Sequence, residues 1–184
     1  MPTKSGTKTP RGRAKGVPDQ IYYVFIKASP ERIWDAITKP EFTARYYYGS
    51  DVEVDLRPGG KFWYHAPDRS RLLIDGQVIE FDPPRRLVAT FHSLWGEMST
   101  EQPSRVTWEI EPQAGDYCKV TLIHDQLDGS PLTARNIAGA NRMLMLSGMK
   151  TLLETGAPLV DFTAALRQRS AQPETKNTAQ EEKK

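Results

Sequence analysis

Cysteine occurs once, at position 118, so no disulfide can close within the chain, and one thiol fits a reducing compartment. No apolar run is long enough to span a bilayer, and none has the form of a signal-peptide h-region. The expected setting is therefore the cytoplasm, with no membrane partner. Histidine occurs three times, at His65, His92 and His124, in no HExxH or comparable spacing, so no metal ligand is assigned. Neither sign of charge dominates, with 25 Lys and Arg against 23 Asp and Glu, which gives no overall pull on nucleic acid. No cofactor fingerprint is present. Gly59-Gly60-Lys61 fails as a phosphate loop, because Asp55 stands where the first glycine belongs and Phe62 replaces Ser or Thr. It reads as a hairpin turn.

The 184 residues suffice for one domain with tails. Residues 1–20 carry Lys4, Lys8, Arg11, Arg13 and Lys15 with no acid before Asp19, the composition of a disordered basic arm. Residues 21–156 hold the patterned part. Leu159, Phe162 and Leu166 predict a short helix over 157–169, covering Leu144 or joining a partner chain, and residues 170–184 read as a disordered tail.

Within the patterned part, Ile21–Lys27 is a β-branched and aromatic first strand. Ser29 caps a short helix with Pro30 at its first position, and Pro40 opens a second that ends at Gly49. From Ser50 the period becomes two. Strands follow at Asp51–Asp55, Lys61–His65, Leu72–Phe81 with a kink at Gly76, Leu87–His92, Val106–Ile110 and Lys119–Asp125. The last long segment, Ser130–Gly156, predicts a single helix with Ser130 as cap, Pro131 at the first position and Gly156 after the last turn. Met145, Leu146, Met149, Leu152 and Leu153 give it an apolar face. Strand, two short helices, antiparallel strands and one long helix make an α+β domain, in which a curved antiparallel β-sheet wraps the C-terminal helix and leaves part of its concave face open.

One charge interrupts the apolar face of that helix. Arg142 stands seven residues before Met149, and Arg135 seven before that. Two placements are open: the helix bends near Gly139 and Arg142 reaches solvent, or Arg142 faces an internal cavity and meets an acidic ligand or a buried carboxylate. His124 shares a strand face with Val120 and Leu122, either as a hydrogen-bonded core histidine or as a cavity group. Glu80 shares parity with Val78, which would turn it inward toward Arg142 or His124, unless it is an ordinary exposed strand carboxylate. Candidate ligand-binding residues are Phe62, Tyr64, Phe91, Trp108, His124, Arg142, Met145 and Met149. None is assigned a catalytic role.

Ser29-Pro30-Glu31-Arg32-Ile33-Trp34-Asp35-Ala36-Ile37, Pro58-Gly59-Gly60-Lys61-Phe62, Gly76 through Leu87, Val106-Thr107-Trp108-Glu109-Ile110, Leu122-Ile123-His124 and Leu152 through Gly156 occur in this order. Together they resemble the bacterial activator of heat-shock-protein-90 ATPase homologues, within the SRPBCC or START-like (helix-grip) superfamily. The resemblance covers roughly 21–156. It implies a helix-grip fold and fixes the activity much less. From the residues themselves, the expected role is non-enzymatic binding of a small hydrophobic or amphipathic molecule between the sheet and the C-terminal helix, with no cofactor. By family name the resemblance also implies a chaperone partner in a stress-response setting, and some relatives are cyclases or hydrolases, for which His124 and Glu80 would be the acid–base pair here. Many members carry Gly-Trp where this chain has Asn141-Arg142, a change that alters the size and polarity of the implied pocket. A monomer or a homodimer fits equally well.

Overall fold

The structure, a computed structural model, describes residues 16–162. The first strand, β1 (Gln20–Ile26), is followed by α1 (Pro30–Thr38) and α2 (Pro40–Tyr46). Six strands come next: β2 (Asp51–Val54), β3 (Phe62–His65), β4 (Leu72–Asp75), β5 (Val78–Asp82), β6 (Arg86–Ser93) and, after a single 3₁₀ turn, β7 (Ser104–Gln113). Strand β8 (Tyr117–Asp125) leads into α3 (Pro131–Ile137) and α4 (Ala140–Thr155). The sheet is antiparallel and runs β1-β8-β7-β6-β4-β3-β2, with β5 also pairing β6. This is the α+β helix-grip fold. Among the described residues no helix is long and apolar enough to cross a membrane.

Local chemistry sets most element ends. The Ser29 side chain accepts the Arg32 N–H at 3.3 Å and Pro30 occupies the first turn of α1. Gly156 adopts φ +77° and returns its N–H to Leu152 O, closing α4. Gly60 sits in the β2–β3 turn, where a Cβ would stand 2.1 Å from Asp55 O, so only glycine fits.

Three expectations need correction. The strand expected over Leu72–Phe81 is two, β4 and β5, each pairing with a different length of β6. The chain turns between them at Gly76, where a Cβ would lie 2.3 Å from Thr90 O and 2.8 Å from Phe62 O. The helix expected over Ser130–Gly156 is also two, parted at Gly139, whose φ +70° and ψ −126° belong to glycine alone. The joint is tied to β1, because the Tyr22 hydroxyl accepts the Gly139 N–H at 3.1 Å. Ser130 does not cap α3; the Glu101 carboxylate does, accepting from Leu132 N at 2.6 Å and Thr133 N at 2.8 Å.

Nearer the termini, Val17 donates its N–H to Asp128 at 2.7 Å, within the stretch expected as the basic arm. Residues 157–161 carry no helix, so the described part of the expected 157–169 helix begins only at Phe162. The rest of that helix, the tail 170–184 and residues 1–15 of the arm lie outside the described residues.

The core lies between the concave face of the sheet and α4. Met145, Leu146, Met149, Leu152 and Leu153 from the helix meet Ile26, Leu87, Trp108, Ile110, Val120 and Leu122 from the strands, all buried. Burial of this kind contributes roughly 1.5–3 kcal/mol per large apolar side chain. A smaller cluster of Leu127, Ala134 and Ile137 holds α3 beside it. The core thus fixes α4 as one wall and the sheet as the other, with α3 and the chain after α2 at the open end.

The break at Gly139 gives a test by sign. No atom lies within 4 Å of a Cβ built there, so Gly139→Ala meets no clash and acts through backbone conformation alone. At a glycine-only φ the expected loss is about 1–3 kcal/mol of unfolding free energy in urea titration. A gain of about 1 kcal/mol, the usual effect of Gly→Ala within a helix, would instead show a continuous helix.

Candidate functional site

Where α4 leaves the sheet, a cavity of about 310 Å³ remains, open to solvent on one side. Its aromatic wall comes from Tyr47 and Tyr48 after α2, Tyr64 on β3, Phe91 on β6 and Trp95 beyond it. Leu73, Ile74, Ile137 and Met145 add aliphatic surface. Polar groups are few: Ser50, Asn136, Asn141, and the guanidinium groups of Arg71 and Arg142. An apolar hollow with a few placed polar groups is the usual form of a small-molecule site.

Arg142 is buried, 5% exposed, one turn above Met145 on the inner face of α4. The helix does break at Gly139, yet the side chain turns inward. Its Nη1 donates to the Tyr47 hydroxyl at 2.9 Å, and its Nη2 lies 3.3 Å from His124 Nδ1. The guanidinium also stands over the Phe91 ring, 5.3 Å from the centroid. Its Nε is buried without a hydrogen-bond partner. No carboxylate among the described residues forms an ion pair with it.

The hydrogen bonds fix the tautomer of His124. Arginine only donates, so Nδ1 accepts, and Nε2 carries the proton and donates to Ser104 Oγ at 2.7 Å. Ser104 in turn donates to Phe91 O at 3.0 Å. Burial first, and the adjacent Arg142 charge second, lower the His124 pKa to about 2. His124 is therefore a neutral prop behind Arg142 and is not poised to exchange protons near pH 7. Burial raises the phenolic pKa of Tyr64 well above its ordinary value and raises that of Tyr48, so both remain neutral donors. Tyr47 stacks on Tyr64 at 4.5 Å, which holds its hydroxyl toward Arg142.

Of the residues expected at the site, Tyr64, Phe91, Arg142 and Met145 border the cavity together, and His124 reaches it through Arg142. Phe62, Trp108 and Met149 do not border it; they are buried in the solid part of the core. Glu80 does not face inward. A β-bulge between Val78 and Glu80 adds one residue, reverses the parity, and leaves Glu80 exposed and 3.1 Å from Arg86 Nε. The His124–Glu80 acid–base pair is therefore not formed. His65 is half-buried, with Nε2 3.0 Å from Glu53. Among the described residues no three His, Cys, Asp or Glu side chains converge as a metal site would require.

Missing from the expected set were Tyr47, Tyr48, Ser50, Arg71, Leu73, Ile74, Trp95, Asn136, Ile137 and Asn141. Leu73 and Ile74 lie on the short strand β4, and the others lie on loops or at helix ends, where periodicity carries no facing information. The tyrosine run 46–48 before Gly49 was the one usable signal.

The neutral His124 gives a pH test. Its folded pKa lies below the unfolded value of about 6.5, so the unfolded chain binds the extra proton and stability is lost as pH falls below that value. The expected slope is at most about 1.4 kcal/mol per pH unit. In His124→Asn the unfolding free energy falls less steeply between pH 6.5 and 5 than in the parent. Equal slopes would show that His124 protonates in the folded state.

The family described as Activator of Hsp90 ATPase homolog 1-like protein matches residues 27–154. No curated protein matches the chain. Protein MLL2253 from Mesorhizobium loti is similar in structure, with 18% identity, a TM-score of 0.60, and 74% of this chain and 96% of that one covered. CalU16 from Micromonospora echinospora superposes with 20% identity, a TM-score of 0.59, and coverage of 82% and 83%. The protein encoded by BPP1335 from Bordetella parapertussis does so with 22% identity, a TM-score of 0.58, and 87% of each chain. These likenesses concern the fold. The chain belongs to the Activator of Hsp90 ATPase homolog 1-like family.

Proposed function

We propose that the protein is a non-enzymatic receptor for one small hydrophobic or amphipathic molecule, held in the cavity between the sheet and α4. The cavity itself carries this reading: about 310 Å³ lies against five aromatic side chains at the end of the packed core. Left empty, such a hollow forgoes the contacts that its walls make elsewhere. Family membership supports the reading only as far as the fold. The alternative, stimulation of a chaperone ATPase, rests on the family description, and no arrangement of the described residues favours it over the cavity.

A neutral probe tests the cavity without involving its charge. N-phenyl-1-naphthylamine should bind the full chain saturably, one per protein, with a rise in fluorescence. Leu73 is half-buried on the cavity wall, so Leu73→Trp should fill the hollow, abolish this binding and leave the melting temperature nearly unchanged. Absence of saturable binding, or equal binding by the variant, would overturn the reading.

A further inference from the structure

Resting on the proposed binding cavity, we infer that its ligand is a monocarboxylate. An apolar, ring-bearing body lies against the aromatic wall, and the acid is received by Arg142, the Tyr47 hydroxyl and the opening turn of α4.

Four features converge on this chemistry. The cavity is lined by two arginines and by no Asp or Glu. Arg142 is nine-tenths buried, permanently charged and, among the described residues, without an ion pair and with an unpartnered Nε. Removing such a charge from water costs several kcal/mol, and two neutral hydrogen bonds offset only part of that. Secondly, the Tyr47 oxygen accepts from Arg142, while its own O–H has no acceptor among the described residues. The phenol therefore offers a proton beside the guanidinium. Thirdly, α4 starts at the cavity: Asn141 and Arg142 both line it, no side chain caps the helix, and its first turn holds no acid. The positive end of a sixteen-residue helix dipole is thus unneutralised at the same place. Finally, Arg71 stands exposed at the edge of the cavity with no ion pair among the described residues, a charge suited to drawing an anion inward.

The head group is a carboxylate because the donors are few. A planar carboxylate offers one oxygen to the guanidinium and one to the phenol. A phosphate dianion needs more donors than these supply, and no glycine-rich backbone cradle lines the cavity. The surrounding polar chain explains why the charge is stable without distortion: Ser104, His124 and Arg142 form one line of hydrogen bonds, which holds the guanidinium in place before a ligand arrives.

Displacement of bound N-phenyl-1-naphthylamine by 2-naphthoate, 2-naphthamide and 2-naphthyl phosphate tests this in the full chain. In the parent protein, naphthoate should displace the probe at concentrations at least tenfold below those of the amide or the phosphate. In Arg142→Met the acid's advantage over the amide should vanish. Tyr47→Phe, which retains the arginine, should reduce the advantage several-fold. Equal displacement by acid and amide in the parent, or an unchanged preference in Arg142→Met, overturns the inference and leaves the cavity reading standing. Tighter displacement by the phosphate overturns the choice of a carboxylate. Failure of the probe to bind the parent at all defeats the cavity reading first. The parent comparison needs no variant, so a misfolded substitution does not decide the outcome.

Discussion

The arrangement at the cavity turns on one buried charge. Arg142 sits among Phe91, His124 and Tyr47, and no carboxylate among the described residues stands against it. A protein interior accepts such a group when a ligand or a function compensates its desolvation. The neighbours are organised to hold the guanidinium in place and leave its charge intact. His124 accepts from it and is kept neutral by burial and by the same charge, and Ser104 locks the imidazole from behind.

The sheet and the helix break make room for this group. A helix running unbroken from Ser130 would present Arg135, Arg142 and Met149 along one stripe. Gly139 turns α3 away, leaves Arg135 exposed, and begins α4 afresh with an uncapped N-terminus at the cavity. Tyr22 on β1 accepts the Gly139 N–H, so the joint belongs to the fixed framework. The same segment therefore supplies the filled core through Met149 and Leu152 and the open hollow through Arg142 and Met145. One helix serves both.

Much of this was legible in the residues. Alternation and capping signals located the strands and the first two helices, and the heptad count put Arg142 on the apolar face of its helix. What eluded the sequence has physical causes. A bulge at Ile79 reversed the parity on which the role of Glu80 rested, and bulges leave no periodic trace. Gly139 was expected at most to bend one continuous helix, because a positive φ is a property of the folded joint. Phe62, Trp108 and Met149 point inward as expected, but inward positions on a curved sheet or on the helix it grips face either packed core or cavity, and neither strand parity nor helical spacing distinguishes them. Ser130 looked like a cap; the carboxylate of Glu101, distant in sequence, took that place.

On the proposed reading Arg142 serves a ligand and not the fold, which makes stability the most direct measurement. The unfolding free energy of Arg142→Met, compared with the parent in urea without added ligand, separates the two. An uncompensated buried charge replaced by an apolar side chain of similar length should leave the protein equally stable or more stable, by up to about 3 kcal/mol. A loss of about 3 kcal/mol or more, the result of breaking a buried pair that supports the structure, would contradict the account.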